Sequence, residues 1–396
     1  MATLKFLSVY RNNLGYVEKC DIRGRMVEKI PLRKTIARLD FPAIIAFGNP
    51  LLDILVILKN DELIKKYNLK IDGETELCEK KLQELITDLP PEIEQYTNPG
   101  GSAQNTLRIL QWLCDETHES QISIFCGGLG NDQRGSILEK LVRLAGVDSR
   151  YAVHPTLPTG LCVSLVYDTS RSLVANLGAA SVYTLDDLKK ANLQLDSIKI
   201  IYIEGYFVTH SLDVAKELVK RAQEKNIIVA FNLNSFYIFQ DHQAAICEMV
   251  GHAKIVFGNA REMIALAQAL NVKYDDVADI PFLLNSLKRI TMDVSSANSK
   301  DWLADDGIFI MTRGGCAPAI IVWGRGQSVQ VQPIVPKTPI VDTTGAGDAL
   351  VAGFLAGVLA HWDPKSCLEL GCKVASCMTT RLGVTLPSDM PPDFLP

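Results

Sequence analysis

The chain has 396 residues, 47% of them hydrophobic and 21% charged, enough to bury a large core. A formal charge of −5 and a pI near 5.8 argue against a nucleic-acid-binding face, which would be net basic. Its 10 cysteines include no C-x-x-C pair, which speaks against a structural zinc site, and a chain of this size needs no disulfide framework.

Residues 1–40 lean basic but carry interspersed acids and no apolar secretory core, so they are expected to be an extension of unknown role. From residue 41 a single domain to residue 396 is expected. Ala43 to Phe47 predicts a strand that turns at Gly48-Asn49-Pro50. Helical spacing follows from Thr106 to Leu113, then a strand at Ile122 to Phe125 closed by glycines, then a helix from Ser136 to Ala145 stopped by Gly146. Strands are expected at Ile198 to Ile203, Ile227 to Phe231, Lys254 to Phe257 and Gly307 to Met311, with helices at Ser211 to Lys225 and from Asn259 to about Leu270. Such alternation predicts an α/β fold, a doubly wound and mostly parallel sheet with helices on both faces. Gly73 to Leu77 and Thr159 to Leu177 interrupt it with strands that lack crossover helices. They predict a small β-rich lid inserted at about 54–80 and 151–178. The apolar run Ala349 to Ala360 falls short of the roughly 20 residues a membrane span needs, so Gly353-x-x-x-Gly357 is expected inside a buried core helix.

The chemistry concentrates in Asp342-Thr343-Thr344-Gly345-Ala346-Gly347-Asp348. Glycines flanking one small residue let backbone approach a ligand closely, and at a helix start the N–H groups and dipole make a hole for a phosphoryl group. Gly345, Ala346 and Gly347 are the expected anion hole, and Asp348 in the first turn is the expected base. Asp is also a common helix cap, but a cap leaves the glycine pair unexplained. A weak base suffices because phosphoryl transfer is loose and rests on positioning and charge stabilisation. G-x-x-x-x-G-K-[ST], a complete G-x-G-x-x-G after the first strand, H-E-x-x-H and G-x-S-x-G are all absent, which counts against P-loop, dinucleotide, zincin and hydrolase chemistry.

Gly345-Ala-Gly-Asp348 and Gly100-Gly101-Ser-Ala-Gln-Asn105 resemble the two signatures of the ribokinase (phosphofructokinase-B) family, and Gly127-x-x-Gly130-x-Asp132-x-x-Gly135 resembles its second glycine-rich stretch. The likeness covers about residues 42 to 390 and is strongest to members that phosphorylate adenosine. It implies a ribokinase-like fold and transfer of the ATP γ-phosphoryl group to the 5′-hydroxyl of adenosine, with magnesium. It also implies site residues. Phe47-Gly-Asn49-Pro-Leu-Leu-Asp53-Ile54 resembles the strand whose aspartate holds the ribose hydroxyls, with Asn49, Gly100, Gly101 and Asn105 beside it. Arg171-Ser-Leu173-Val-Ala175-Asn-Leu177 resembles the lid strand whose apolar residues cover the base and whose arginine faces the phosphates. Tyr206 stands where an aromatic stacks on the base. Asn259-Ala-Arg-Glu262 matches the N-x-x-E motif that organises magnesium through water, with Asn259 near the phosphates. Thr312-Arg-Gly314 resembles the loop that holds ATP.

Glu74 and Glu76, Thr344, Asn234-Ser-Phe-Tyr237 and Cys372 depart from the residues usual in that group and bear on base preference. A kinase for another nucleoside or sugar is the nearest alternative, and a non-catalytic nucleotide-binding paralogue is an alternative of another class. Small-molecule substrates, a monomer, no nucleic-acid or membrane partner, and cytoplasmic residence with the nucleus as a second location complete the expectation.

Overall fold

The computed structural model describes residues 8–10, 17–20, 26–30, 32–71, 73–114, 120–168, 170–291, 302–304 and 307–388. Among them a 9-stranded sheet forms the body. Its spatial order is Gln327–Val331, Ala319–Trp323, Ile308–Thr312, Ile255–Asn259, Ile228–Asn232, Ile200–Glu204, Ile44–Phe47, Ser123–Gly130 and Asp148–His154. From Ile308–Thr312 across to Asp148–His154 every pairing is parallel, and the two strands beyond Ile308–Thr312 close that edge as an antiparallel hairpin. The central strands are continuous apolar runs because both faces are covered. Ile200–Glu204 is buried along its whole length, as is Ile44–Phe47. One face packs under the helices Ser102–Cys114 and Ala346–Leu359, the other under Gly205–Lys225, Phe239–His252 and Ala260–Ala269.

The lid is a second sheet of 5 strands in the order Gly73–Glu76, Ser170–Asn176, Gly160–Tyr167, Leu51–Ile57 and Gln95–Gly100. It corrects the expected boundaries. Asp148–His154 pairs with Ser123–Gly130 and so belongs to the body, while the first lid segment runs on to Gly100. Gln95–Gly100 is an edge strand, which explains why its sequence Gln-Tyr-Thr-Asn-Pro-Gly does not read as one. An edge strand tolerates proline and polar side chains that an interior strand would reject.

The expected N-terminal extension also needs a new boundary. Ser8–Tyr10, Val17–Cys20 and Met26–Ile30 form a 3-stranded antiparallel sheet. Leu32–Ile36 is a helix whose Leu32 and Ile36 are buried in the main core, and Arg33 Nε donates to Leu113 O at 3.1 Å. Residues 32–36 therefore pack as part of the body and not as an appendage.

The apolar helix Ala346–Leu359 lies against Pro364–Met378 at very close range. A Cβ on Gly353 would sit 2.8 Å from Gly371 Cα, and one on Gly357 would sit 2.9 Å from Cys367 Sγ. The small residues thus serve packing between two helices of one chain. No helix among the described residues is long and apolar enough to cross a membrane. Gly353→Val should push the helices apart and destabilise the fold by about 1–3 kcal/mol or more, read as a lower urea midpoint at unchanged slope. A variant with the wild-type midpoint would show that the two helices can separate without cost.

Candidate active site

The expected site residues come from far-apart segments, yet nearly all lie beyond the carboxyl ends of the parallel strands or on the lid above them. That is where ligands bind in open α/β sheets. Asn49 follows Ile44–Phe47, Tyr206 follows Ile200–Glu204, Asn259 ends Ile255–Asn259 and Thr312 ends Ile308–Thr312, with Asn259 and Thr312 opposite each other in register.

At the centre is the start of helix Ala346–Leu359. Gly345 occupies the position before it at φ 74°, in the left-handed region that glycine adopts without strain, and a Cβ there would also strike Val384 Cγ2 at 2.3 Å. Gly347 faces open space. Ala346 donates its N–H to Thr343 O at 3.2 Å, closing the turn, and the helical ladder begins with Ala349 N–H to Gly345 O at 2.8 Å. The helix itself therefore does not use the N–H groups of Gly347 and Asp348. Gly345, Ala346 and Gly347 thus form the turn expected to serve as the anion hole, with the Ala346 N–H committed to that turn in this conformation.

Asp348 sits beside that hole and is held from helix Ser102–Cys114. Ser102 Oγ donates to Oδ1 at 2.7 Å and Asn105 Nδ2 donates to Oδ2 at 3.3 Å. Burial pushes the Asp348 carboxyl up to about 6, opposed by those two hydrogen bonds and by the Arg171 guanidinium. Behind Ser102 the support continues. Asn234 Nδ2 donates to Ser102 Oγ at 2.8 Å, and Asn234 Oδ1 accepts from Gly205 N–H at 2.7 Å. Asn234 is at φ 61°, which asparagine tolerates better than most residues.

Asn105 is oriented in turn by Arg108, a buried residue that sequence reasoning passed over. Its Nη1 donates to Asn105 Oδ1 and to Pro99 O, both at 3.1 Å, and its Nη2 donates to Val384 O at 3.2 Å. With the oxygen engaged, the amide must present its nitrogen to Asp348. Burial lowers the Arg108 pKa to about 10, yet it remains a cation at neutral pH beneath Asp53. Burial pushes the Asp53 carboxyl up to about 7, and Arg108 pulls it back down. Asp53 lies in the lid strand Leu51–Ile57 opposite Asn98 of Gln95–Gly100, and a Cβ on Gly100 would come within 1.9 Å of Asp53 Oδ1. Gly101, at φ 86°, passes so close to Asn49 that a Cβ would be 2.2 Å from its carbonyl oxygen. These glycines are space for the carboxylate and the crossing chain. Asn49 is 3% exposed, and its side-chain nitrogen and oxygen both lack a protein partner.

Beneath Asn49 lies Glu204, fully buried and likewise missed. Its Oε1 accepts from Asn49 N–H at 2.6 Å and its Oε2 from Ala103 N–H at 2.7 Å. It ties the lid hinge to the start of helix Ser102–Cys114. Burial pushes its carboxyl up to about 8 against those two bonds. The only sequence signal was an acid at the end of an otherwise apolar strand.

On the lid, Arg171 reaches down to the phosphate-side loop. It donates to Thr344 Oγ1 and lies 3.6 Å from Asp342 Oδ1. Asp342 fixes that loop by accepting from Thr344 N–H at 2.9 Å and Gly383 N–H at 2.9 Å. Leu173 and Ala175 are half-buried while Ser172 and Val174 are buried, so the alternation turns the former pair to the cleft. Tyr206, at the start of helix Gly205–Lys225, pairs its hydroxyl with Glu74 of the lid, which also accepts from Tyr237.

Asn259 and Glu262 hold each other. Asn259 Nδ2 donates to Glu262 Oε1 at 2.6 Å, Asn259 N–H to Oε2 at 2.7 Å, and Glu262 N–H returns to Asn259 Oδ1 at 3.0 Å. This is a capping box on helix Ala260–Ala269. Burial pushes the Glu262 carboxyl up to about 7. No group of three or more metal-ligating side chains occurs among the described residues. Gly314 is at φ 64° and faces open space. Cys372 is buried on the helix Pro364–Met378.

Residues 79–391 match the family described as pfkB family carbohydrate kinase. The chain belongs to that family. Among curated relatives it is 28% identical to adenosine kinase 2 of Arabidopsis thaliana over 89% of this chain and 97% of the relative. It is 29% identical to the adenosine kinase of Dictyostelium discoideum over 88% of this chain and 97% of that one. Among solved structures, Anopheles gambiae adenosine kinase in complex with P1,P4-di(adenosine-5) tetraphosphate superposes with a TM-score of 0.74 at 29% identity, covering 87% of this chain and 97% of that one. The ribokinase-like architecture expected from the motifs is thereby established.

The support under this pfkB-family site can be tested without any substrate. Glu204→Ala would leave two buried N–H groups unpaired, for a loss of about 2–6 kcal/mol at about 1–3 each. Glu204→Gln, which keeps one acceptor, should lose roughly half of that. Equal urea midpoints for wild type and the alanine variant would show that water replaces the carboxylate.

Proposed function

We propose that this protein transfers the γ-phosphoryl group of ATP to the 5′-hydroxyl of adenosine, giving AMP and ADP. The observation that carries the reading is the Asp348 carboxylate, buried and held by Ser102 and Asn105, in the first turn of a helix at whose start Gly347 faces open space. Its relatives over nearly the whole chain are named adenosine kinases, and adenosine and ATP are accordingly the proposed substrates.

The acceptor nucleoside is held by its ribose. Asp53 accepts from two hydroxyls, and Asn49, whose buried amide has no protein partner, supplies the neighbouring bonds. With the ribose anchored on the lid, its 5′ end points to Asp348. The base orients the hydroxyl and takes its proton late in a loose transfer. Positive potential at the helix start and the Arg171 guanidinium steady the moving phosphoryl charge. Closing the lid over the nucleoside excludes water, so that ATP does not transfer to it.

Glu262 and Asn259 offer one carboxylate and one amide. That suits magnesium, which keeps several waters and takes one or two carboxylates together with substrate phosphates. Bound there, the metal would neutralise charge on the phosphates of ATP. Small molecules are the expected partners, acting on a cytoplasmic monomer.

Asp348→Asn should lower kcat by about 10²–10⁴-fold and leave adenosine affinity within a few fold, measured by coupled ADP release and calorimetry. Near-normal turnover would remove Asp348 from its role. Since the folded carboxyl titrates near 6 and must be ionised to act, the rate should rise with pH through about 6 and fall tenfold per unit below it. Ser102→Ala deletes a bond that favours the ionised form, so its acid limb should move to higher pH. An unmoved limb would show that another group sets it.

A further inference from the structure

The Glu74 carboxylate belongs to neither the phosphoryl-transfer set nor the ribose anchor, yet it is one of the most constrained side chains in the cleft. It projects from lid strand Gly73–Glu76 and meets two tyrosines of the body. Tyr206 OH lies 3.2 Å from Oε1 and 3.0 Å from Oε2, and Tyr237 OH lies 2.6 Å from Oε2. The two rings are tilted 38° to each other with centroids 6.3 Å apart.

Register places this carboxylate relative to the ribose anchor. Glu74 is opposite Leu173, and Ala175, two residues on, is opposite Cys162, which is opposite Asp53. Residues paired in this way, and residues two apart on one strand, share a sheet face. Glu74, Leu173, Ala175 and Asp53 therefore line one surface. Asp53 and Glu74 stand three strand spacings and two residues apart, roughly 16 Å between backbones at about 4.8 Å per spacing and 3.3 Å per residue. With side chains reaching in from both ends, that gap is the length of a nucleoside: ribose at Asp53, base against Leu173 and Tyr206, far edge of the base at Glu74.

The hydrogen-bond inventory then fixes what that edge must be. A phenol hydroxyl donates to a carboxylate, and an ionised carboxylate only accepts, at about four positions. Tyr237 and the nearer contact of Tyr206 both fall on Oε2, so Oε1 carries only the longer shared contact and keeps acceptor capacity. We propose that Glu74, clamped by Tyr206 and Tyr237, is the specificity-determining residue of the base pocket and selects a purine nucleoside bearing an exocyclic amino group at C6. This rests on the nucleoside-kinase reading above. The amino group donates to Oε1. A purine with hydrogen at C6 leaves the acceptor unmet, and one with an oxo group there sets a lone pair against a negative charge. The aromatic clamp fixes the carboxylate, so discrimination comes with little loss of side-chain entropy on binding.

The test is calorimetric and kinetic, with adenosine, purine riboside (hydrogen at C6) and inosine (oxo at C6) on wild type, Glu74→Gln and Glu74→Leu. Wild type should bind adenosine roughly 10- to 100-fold more tightly than purine riboside, the range for a hydrogen bond to a charged group, and should bind inosine more weakly still. Glu74→Leu should bring adenosine and purine riboside within about threefold of each other. Glu74→Gln, whose amide can rotate to donate, should narrow the gap between adenosine and inosine. The wild-type affinities alone decide the matter if a variant fails to fold. Equal wild-type affinity for adenosine and purine riboside, or an undiminished preference in Glu74→Leu, overturns the assignment while leaving the kinase reading standing if adenosine is turned over. Selective binding of adenosine without turnover overturns the kinase reading and keeps Glu74. Failure to bind any of the three overturns both.

Discussion

Two helices from opposite ends of the chain meet at one carboxylate, and the rest of the site is arranged around keeping them there. Asp348, in the first turn of Ala346–Leu359, is bonded to Ser102 and Asn105, in the first two turns of Ser102–Cys114. The contact is polar and buried, so neither helix can shift without unpairing groups that water cannot reach. Each donor is backed by a second partner that fixes its direction. Asn234 bonds Ser102 Oγ, and Arg108 engages the oxygen of Asn105 so that its nitrogen faces the acid. Apolar burial brings the helices together, and this network sets where along each other they stop.

The same cleft collects acids, and burial acts on all of them in one direction. Asp53, Glu204, Glu262 and Asp348 are all pushed upward by burial, to about 7, 8, 7 and 6. Near neutral pH a good part of their formal negative charge is therefore absent. Because Asp348 raises both Asp53 and Glu204, and Glu74 raises Glu262, ionising one acid makes the next harder to ionise. Arg108 and Arg171 supply positive charge, one acting on Asp53 and one beside Asp342. At Asp348 burial is opposed by two side-chain hydrogen bonds, from Ser102 and Asn105, and by the Arg171 guanidinium, all of which favour the ionised carboxylate.

Much of this was legible in the sequence because the chemistry demands residues that no packing argument would place there. Gly345-Ala-Gly-Asp348 reads as a phosphate loop on backbone geometry alone, and the doubly wound body follows from strands apolar on both faces. What the sequence concealed falls into two physical kinds. Edge elements such as Gln95–Gly100 bury little, so they carry no apolar periodicity. The supporting residues Arg108, Glu204, Ser102 and Asn234 act through long-range contacts: Ser102 and Asn234 are 132 residues apart, and Asn49 and Glu204 are 155. Nothing local distinguishes Arg108 from any other basic residue on a helix until the strand end and the chain near Val384 close over it. Asn259 and Glu262 show the converse, since the pattern was plain but its meaning was double. The pair forms a capping box whether or not it also serves phosphate and metal.

The lid is fastened to the body at both ends of the cleft, and the two fastenings differ in kind. At one end Arg171 meets Asp342 and Thr344, residues of the loop that leads into helix Ala346–Leu359. At the other end Glu74 meets Tyr206 and Tyr237, which follow two body strands. The first joins opposite charges at a partly exposed site, where such a pair contributes little by itself. The second places an acid among aromatic rings, where each hydroxyl is needed to offset its desolvation. Between them runs the hinge at Asn49, pinned by Glu204. With a partly exposed charge pair at one end and a carboxylate shared by two hydroxyls at the other, the Arg171 contact is the weaker of the two fastenings.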